Sequence, residues 1–320
     1  MVRLPAAFAL ALVILAVPLH GQSKTWTAPR TGDGHPDLQG IWTNATITPL
    51  ERPASLKDKP FLTEAEALAM EKLAAERRDE ADKPIPGRFE SYNQFWLDGG
   101  TTVLSTRQTS LVVEPANGRV PVKPAEEKRR DEVFENYGDT VELMSPWDRC
   151  ITRGVPGGML PAGYNNAYEI LQFPGYVVVH YEMIHDARII PIDNRPPLSD
   201  RVRLWDGDPR GHWEGDTLVV ETTNFNNLGW ISTSMAGGRI KGIRHTDRLR
   251  VVERFTRTSQ KEISYSATIE DPDIYTQPWT VSFPLTRDPS YRIYEYACHE
   301  GNYAMEGIMR GKRYEDAKKK

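Results

Sequence analysis

His180, Glu182 and His185 cluster in the run His180-Tyr181-Glu182-Met183-Ile184-His185-Asp186-Ala187-Arg188. Read as a strand, its period of two puts His180 and Glu182 on one face and leaves His185 at the following turn beside Asp186. Val177, Val178, Val179 and Ile184 would shield these titratable groups from water. Burial of that kind shifts pKa values toward acid or base work. The chemistry predicted is proton transfer, with His180, Glu182 and His185 as catalytic candidates and Arg188 fixing the polar end of a ligand. Two histidines plus a carboxylate also suit a divalent metal, although no metal motif is complete and no organic cofactor is expected. The plainer alternative is a hydrogen-bonded His and Glu pair on the wet face of a sheet.

A second cluster surrounds the two cysteines, Cys150 and Cys298. An isolated pair in an oxidising compartment predicts one disulfide. By loop-closure entropy such a bridge is worth about 4 to 5 kcal/mol. It would tie Trp147-Asp148-Arg149-Cys150 to Ala297-Cys298-His299-Glu300 and make His299, Glu300 and Asn302 ligand-binding candidates. Two buried thiols, or a metal held by Cys298 with His299, are the alternatives; adjacent strand residues point to opposite faces, which disfavours the metal. The loop holding Gly154, Gly157, Gly158 and Gly163 leads into Tyr164, Asn165 and Asn166. Small side chains there let a ligand approach the backbone, with Tyr164 and Asn166 as further candidates, or simply make a connector.

Other chemistries are excluded. The chain has no G-x-S-x-G elbow, no G-x-G-x-x-G and no H-E-x-x-H,. Gly307 to Lys312 looks like a phosphate loop but has the wrong spacing, with Arg313 where a hydroxyl is required. Forty basic against 44 acidic residues, with no basic stripe among aromatics, exclude a nucleic-acid partner,. At the start, Arg3, the apolar run Ala6 to Val17 and Gly21-Gln22 predict a signal peptide over residues 1–22,. The run is too short for a membrane helix, and no cysteine follows it to take a lipid anchor. A periplasmic or secreted protein is therefore expected.

The elements that must position these residues divide at about residue 145. Residues 23–145 read as an irregular, partly helical region packing on a β domain over 146–320. Thr63 and Glu66 form a capping box ahead of Leu68, Ala69 and Leu73,. A second helix is predicted from Pro124 to Glu135. Strands are predicted over Tyr176–Ile184, Arg188–Ile192, Thr217–Thr222, Arg248–Thr256, Ile263–Ile269, Trp279–Phe283 and Arg292–Ala297,. Ile263, Tyr265, Ala267 and Ile269 alternate with polar neighbours, as do Leu249, Val251 and Glu253. Half-wet strands on short turns predict an antiparallel meander, closed as a barrel or folded as a sandwich. The basic tail from Arg310 to Lys320 reads as a solvated terminus.

Pro36-Asp37-Leu38-Gln39-Gly40-Ile41-Trp42, Gly211-His212-Trp213-Glu214-Gly215-Asp216-Thr217-Leu218-Val219-Val220-Glu221-Thr222-Thr223-Asn224-Phe225 and Tyr296-Ala297-Cys298-His299-Glu300-Gly301-Asn302-Tyr303 resemble a family of exported bacterial proteins. The resemblance implies a lipocalin-like β-barrel and brings no activity and no catalytic residue. The expected function is binding of a small, partly apolar molecule in a barrel or inter-sheet pocket. The alternative is a lyase, isomerase or hydrolase, cofactor-independent or metal-assisted, using the His and Glu residues. A structural envelope protein is the third reading.

Overall fold

Alternating buried and exposed side chains build a sheet whose strands are β1 (Gly40–Thr43), β2 (Val112–Glu114), β3 (Ala167–Phe173), β4 (Tyr176–Tyr181), β5 (Ala187–Pro191), β6 (Asp208–Glu214), β7 (Thr217–Thr223), β8 (Arg250–Ser259), β9 (Glu262–Glu270) and β10 (Trp279–Arg287). Three α-helices accompany them: α1 (Glu64–Ala81), α2 (Pro124–Glu135) and α3 (Ala304–Lys318). This computed structural model describes residues 26–56, 58–81, 97–232 and 240–318. The signal peptide expected over 1–22 lies outside them.

Nine strands follow one antiparallel path, β5-β4-β3-β1-β10-β9-β8-β7-β6, with β2 added against β10. The path curls until its two edges meet. A Cβ on Gly211 of β6 would fall 2.7 Å from Ile192 Cγ2 and 2.9 Å from Ile190 Cγ2 beside β5. The result is a nearly closed barrel, which decides the barrel-or-sandwich choice. Its keystone comes from the N-terminal region: β1 lies between β3 and β10, pairing Trp42 with both Tyr168 and Arg287.

The predicted alternation fills the interior. Ile263, Tyr265, Ala267 and Ile269 are fully buried, as are Val251, Glu253 and Phe255 of β8 and Trp279, Val281 and Leu285 of β10. The rings of Phe255, Tyr265 and Phe283 pack in a row at 4.9 and 5.0 Å between centroids. Each large apolar side chain so buried contributes about 1.5–3 kcal/mol.

One expectation needs correction, and α3 and β6 come in addition to the elements expected. Residues 292–297 make no strand ladder; they run as an extended strap. The tail is helical: Asn302 Oδ1 accepts the Ala304 N–H at the start of α3, and Lys312 Nζ reaches Glu135 O and Asp139. Strand β6 was not expected because Pro209 and Gly211 are poor strand residues, yet an edge strand tolerates proline and the seam needs the glycine. Among the described residues, no helix is long and apolar enough to cross a membrane.

Candidate functional site

Strand β4 ends at Tyr181, and Glu182 turns into the right-handed helical region (φ −63°, ψ −45°). Ile184 and His185 follow with φ of 66° and 45°. The left-handed region is strained for a branched residue such as Ile184. This turn separates the predicted trio. His180 stays half-exposed on the outer face with Val178, in register with Glu169 and Ala187. Glu182 is buried and its carboxylate accepts the Tyr291 hydroxyl (2.8 Å to Oε2), the Tyr294 N–H (3.1 Å) and the Asn165 amide. His185 Nδ1 lies 2.6 Å from Tyr296 O. Glu182 and His185 therefore clamp the 291–298 strap, and burial beside Glu182 pushes the Tyr291 phenol up. The three residues do not converge on a common point.

Arg188 points into the barrel. Its Nη2 meets Glu253 Oε2 at 2.6 Å and its Nη1 meets Oε1 at 3.1 Å, while the Tyr265 hydroxyl donates to Oε1 at 2.9 Å. Thr222 and Tyr181 complete the cage. The free space against Arg188 is about 10 Å³, room for about one water. Arg188 thus has a partner within the fold, and a ligand must sit elsewhere.

The space lies at the strap. Cys150 and Cys298 form a disulfide that closes a separation of 148 residues. Beside it opens a cleft of about 420 Å³, walled by Trp147, Tyr164 and Tyr296 with Asp148, Glu295, Glu300 and Asn302 as its polar groups. Tyr164 packs on Trp147 at 6.0 Å and stacks on Tyr296 at 6.3 Å. Asn302 Nδ2 donates to Asp148 O and to Cys150 Sγ, fixing the cleft floor. Asp148 accepts hydroxyls from Tyr137 and Ser145; burial, then Asp148, pushes the Tyr137 phenol up to about 12. Of the predicted ligand residues, Tyr164, Glu300 and Asn302 meet here. His299 is exposed and outside the lining. Asn166 is buried, and its amide bonds Ala162 and Asp98 to shape the glycine-rich loop.

Trp147 and Tyr164 also wall a second cavity of about 200 Å³, whose other lining is Leu97, Arg153, Ala162, Gly163 and Met183. Arg153 and Met183 in turn border the narrow space against Thr152, Asp186 and Asp206. The Thr152 hydroxyl lies 2.7 Å from Asp206 Oδ1 and 3.3 Å from Asp186 Oδ2. Burial, then the neighbouring Asp186 charge, pushes Asp206 up to about 7. Asp206 therefore keeps its proton toward neutral pH,. Among the described residues, no three His, Cys, Asp or Glu side chains are placed to hold a metal.

Outer cleft, apolar chamber and acid pair thus adjoin at one end of the barrel. Sequence reasoning reached Trp147 and Asp148 through the cysteine beside them, and Asp186 as a neighbour of His185. Arg153, Asp206 and Tyr296 were missed: Arg153 hid in a glycine-rich connector, Asp206 in a turn before β6, and Tyr296 in a segment read as a strand. No family model, curated protein or solved structure matches this chain.

Proposed function

We propose that this protein works outside the cytoplasm and binds a small, partly apolar molecule at the end of its barrel, between Trp147, Tyr164 and Tyr296. The observation that carries this reading is the aromatic cleft itself. Its volume of about 420 Å³ falls in the range of small-molecule sites, and its three aromatic walls face an equally polar set of Asp148, Glu295, Glu300 and Asn302. The barrel interior, by contrast, is filled by its own side chains. The Cys150–Cys298 disulfide supports export, since such bonds persist in oxidising compartments.

The test is calorimetric titration of a panel of small aromatic compounds against wild type, Trp147→Ala and Tyr164→Ala. Binders of the wild type should weaken about tenfold in either variant, the scale set by aromatic contacts of roughly 0.5–1.5 kcal/mol plus lost burial. Unchanged affinities in variants that keep the wild-type circular dichroism would sink the reading.

One observation favours a second reading. Asp206, keeping a proton toward neutral pH, is equipped for general acid work in the narrow space that adjoins the chamber at Arg153 and Met183,. If a bound compound is consumed, Asp206→Asn should cut turnover a hundredfold or more while affinity stays within a few-fold. Turnover that survives in Asp206→Asn would remove this acid from the chemistry.

A further inference from the structure

Two buried guanidiniums in this fold face counter-charges, Arg188 meeting Glu253 and Arg257 meeting Asp37, and a third, Arg52, is held by Thr109 and Ala116. Arg153 is different. It is only 6 % exposed, yet it forms no ion pair among the described residues. Its one hydrogen bond among them runs from Nη2 to Leu160 O at 3.1 Å, leaving Nε and Nη1 without a protein acceptor. Asp98, a carboxylate that acts weakly on its charge, is engaged by Asn166. Burial pushes the Arg153 guanidinium down from its ordinary range, though an arginine remains charged. A buried charge without a partner costs several kcal/mol and is retained where something else supplies the partner.

The side chain stands where a ligand could supply it. Arg153 lines the 200 Å³ chamber with Leu97, Trp147, Ala162, Tyr164 and Met183, and that chamber shares the Trp147 and Tyr164 walls with the outer cleft. We propose that Arg153 anchors an anion subsite, seating the carboxylate of a small apolar acid whose hydrocarbon part fills this chamber. The inference rests on the reading of the cleft as a ligand site and names the class of ligand. The planar fork of a guanidinium matches a carboxylate. An apolar cavity of about 150 Å³ holds a benzene ring, so this one suits a ring with a carboxylate attached. In the narrow space that Arg153 also borders, Asp206 is pushed up to about 7 and so supplies less than a full counter-charge.

The experiment is isothermal titration at neutral pH of the disulfide-intact protein with benzoate, benzamide and benzylamine. Benzoate should bind at least tenfold more tightly than its neutral isostere benzamide, and benzylamine should not bind. Arg153→Gln should lose at least tenfold in benzoate affinity and leave benzamide unchanged. Benzamide binding as well as benzoate, or benzoate affinity surviving in Arg153→Gln, would overturn the proposal. Should that variant fail to fold, the wild-type preference for benzoate over benzamide decides alone. Benzamide binding that is lost in Trp147→Ala, without any preference for benzoate, would keep the cleft and remove the anion subsite. Heat from none of the three would remove both.

Discussion

At the scale of single residues, two buried acids in this barrel face opposite circumstances. Glu253 is fully buried but meets Arg188, Tyr265 and a near-ideal fork geometry; removing one member strands the other. Arg188→Met should therefore cost about 3–5 kcal/mol in urea unfolding, and a loss under 1 kcal/mol would mean that Glu253 finds water instead. Asp206 has a like charge for a neighbour and is pushed up to about 7 from an ordinary value of 3.8. Between those two values the native state holds a proton that the unfolded chain has released, so stability falls as pH rises from about 4 to about 7. His245 tilts the other way: burial lowers it to about 4, so its contribution is lost as pH falls below the ordinary 6.5. The difference between wild type and Asp206→Asn isolates the acid, because both chains keep His245. Urea midpoints at pH 5 and pH 8 should show the variant gaining on the wild type at the higher pH. Parallel behaviour at both would mean that the acid pair carries no extra proton.

At the scale of elements, the barrel depends on a residue that carries no side chain. Where β6 crosses β5, any Cβ on Gly211 would overlap the methyls of Ile190 and Ile192. Gly211→Val should prise the seam and cost about 1–3 kcal/mol by overpacking, read as a lower urea midpoint. An unchanged midpoint would mean that the edges do not touch in solution. The same residue marks the limit of what the sequence discloses. Strands β4 and β7 to β10 were legible because β-branched and aromatic residues run for a strand's length, with a period-two alternation in β8 and β9, and those patterns are local. Strand β6 was not, because its glycine and proline make sense only against a distant edge. The strap around residues 292–297 read as a strand for the converse reason: Tyr294 and Tyr296 alternate well, but their backbone and ring partners are Glu182, His185 and Tyr164, not a neighbouring strand. Glu182 and His185 were singled out as catalytic candidates, while the work visible in the structure is holding that strap. Arg153 had no local signal at all, since its distinction is the lack of a partner in three dimensions.

At the scale of the whole molecule, the cleft beside the disulfide exists because two distant segments are held together twice. Upstream, Glu182 and His185 grip Tyr291, Tyr294 and Tyr296 of the strap. Downstream, the Cys150–Cys298 bond closes a separation of 148 residues, worth up to about 4–5 kcal/mol in the loop-entropy model. Neither clamp lies among the fully buried barrel residues Tyr265, Trp279 and Val281. A Cys150→Ser/Cys298→Ser chain should therefore keep its barrel and its near-ultraviolet dichroism while melting earlier and binding cleft ligands more weakly. Adding Glu182→Gln weakens the second clamp on the same strap, leaving His185 on Tyr296. Because both clamps restrain one segment, their effects on ligand affinity should exceed the sum of the separate losses, as expected for residues that share a structural unit. A triple variant whose affinity loss merely equals that sum would show that the strap has further anchors, and one that loses the barrel signal as well would show that the strap is part of the fold rather than a wall laid across its end.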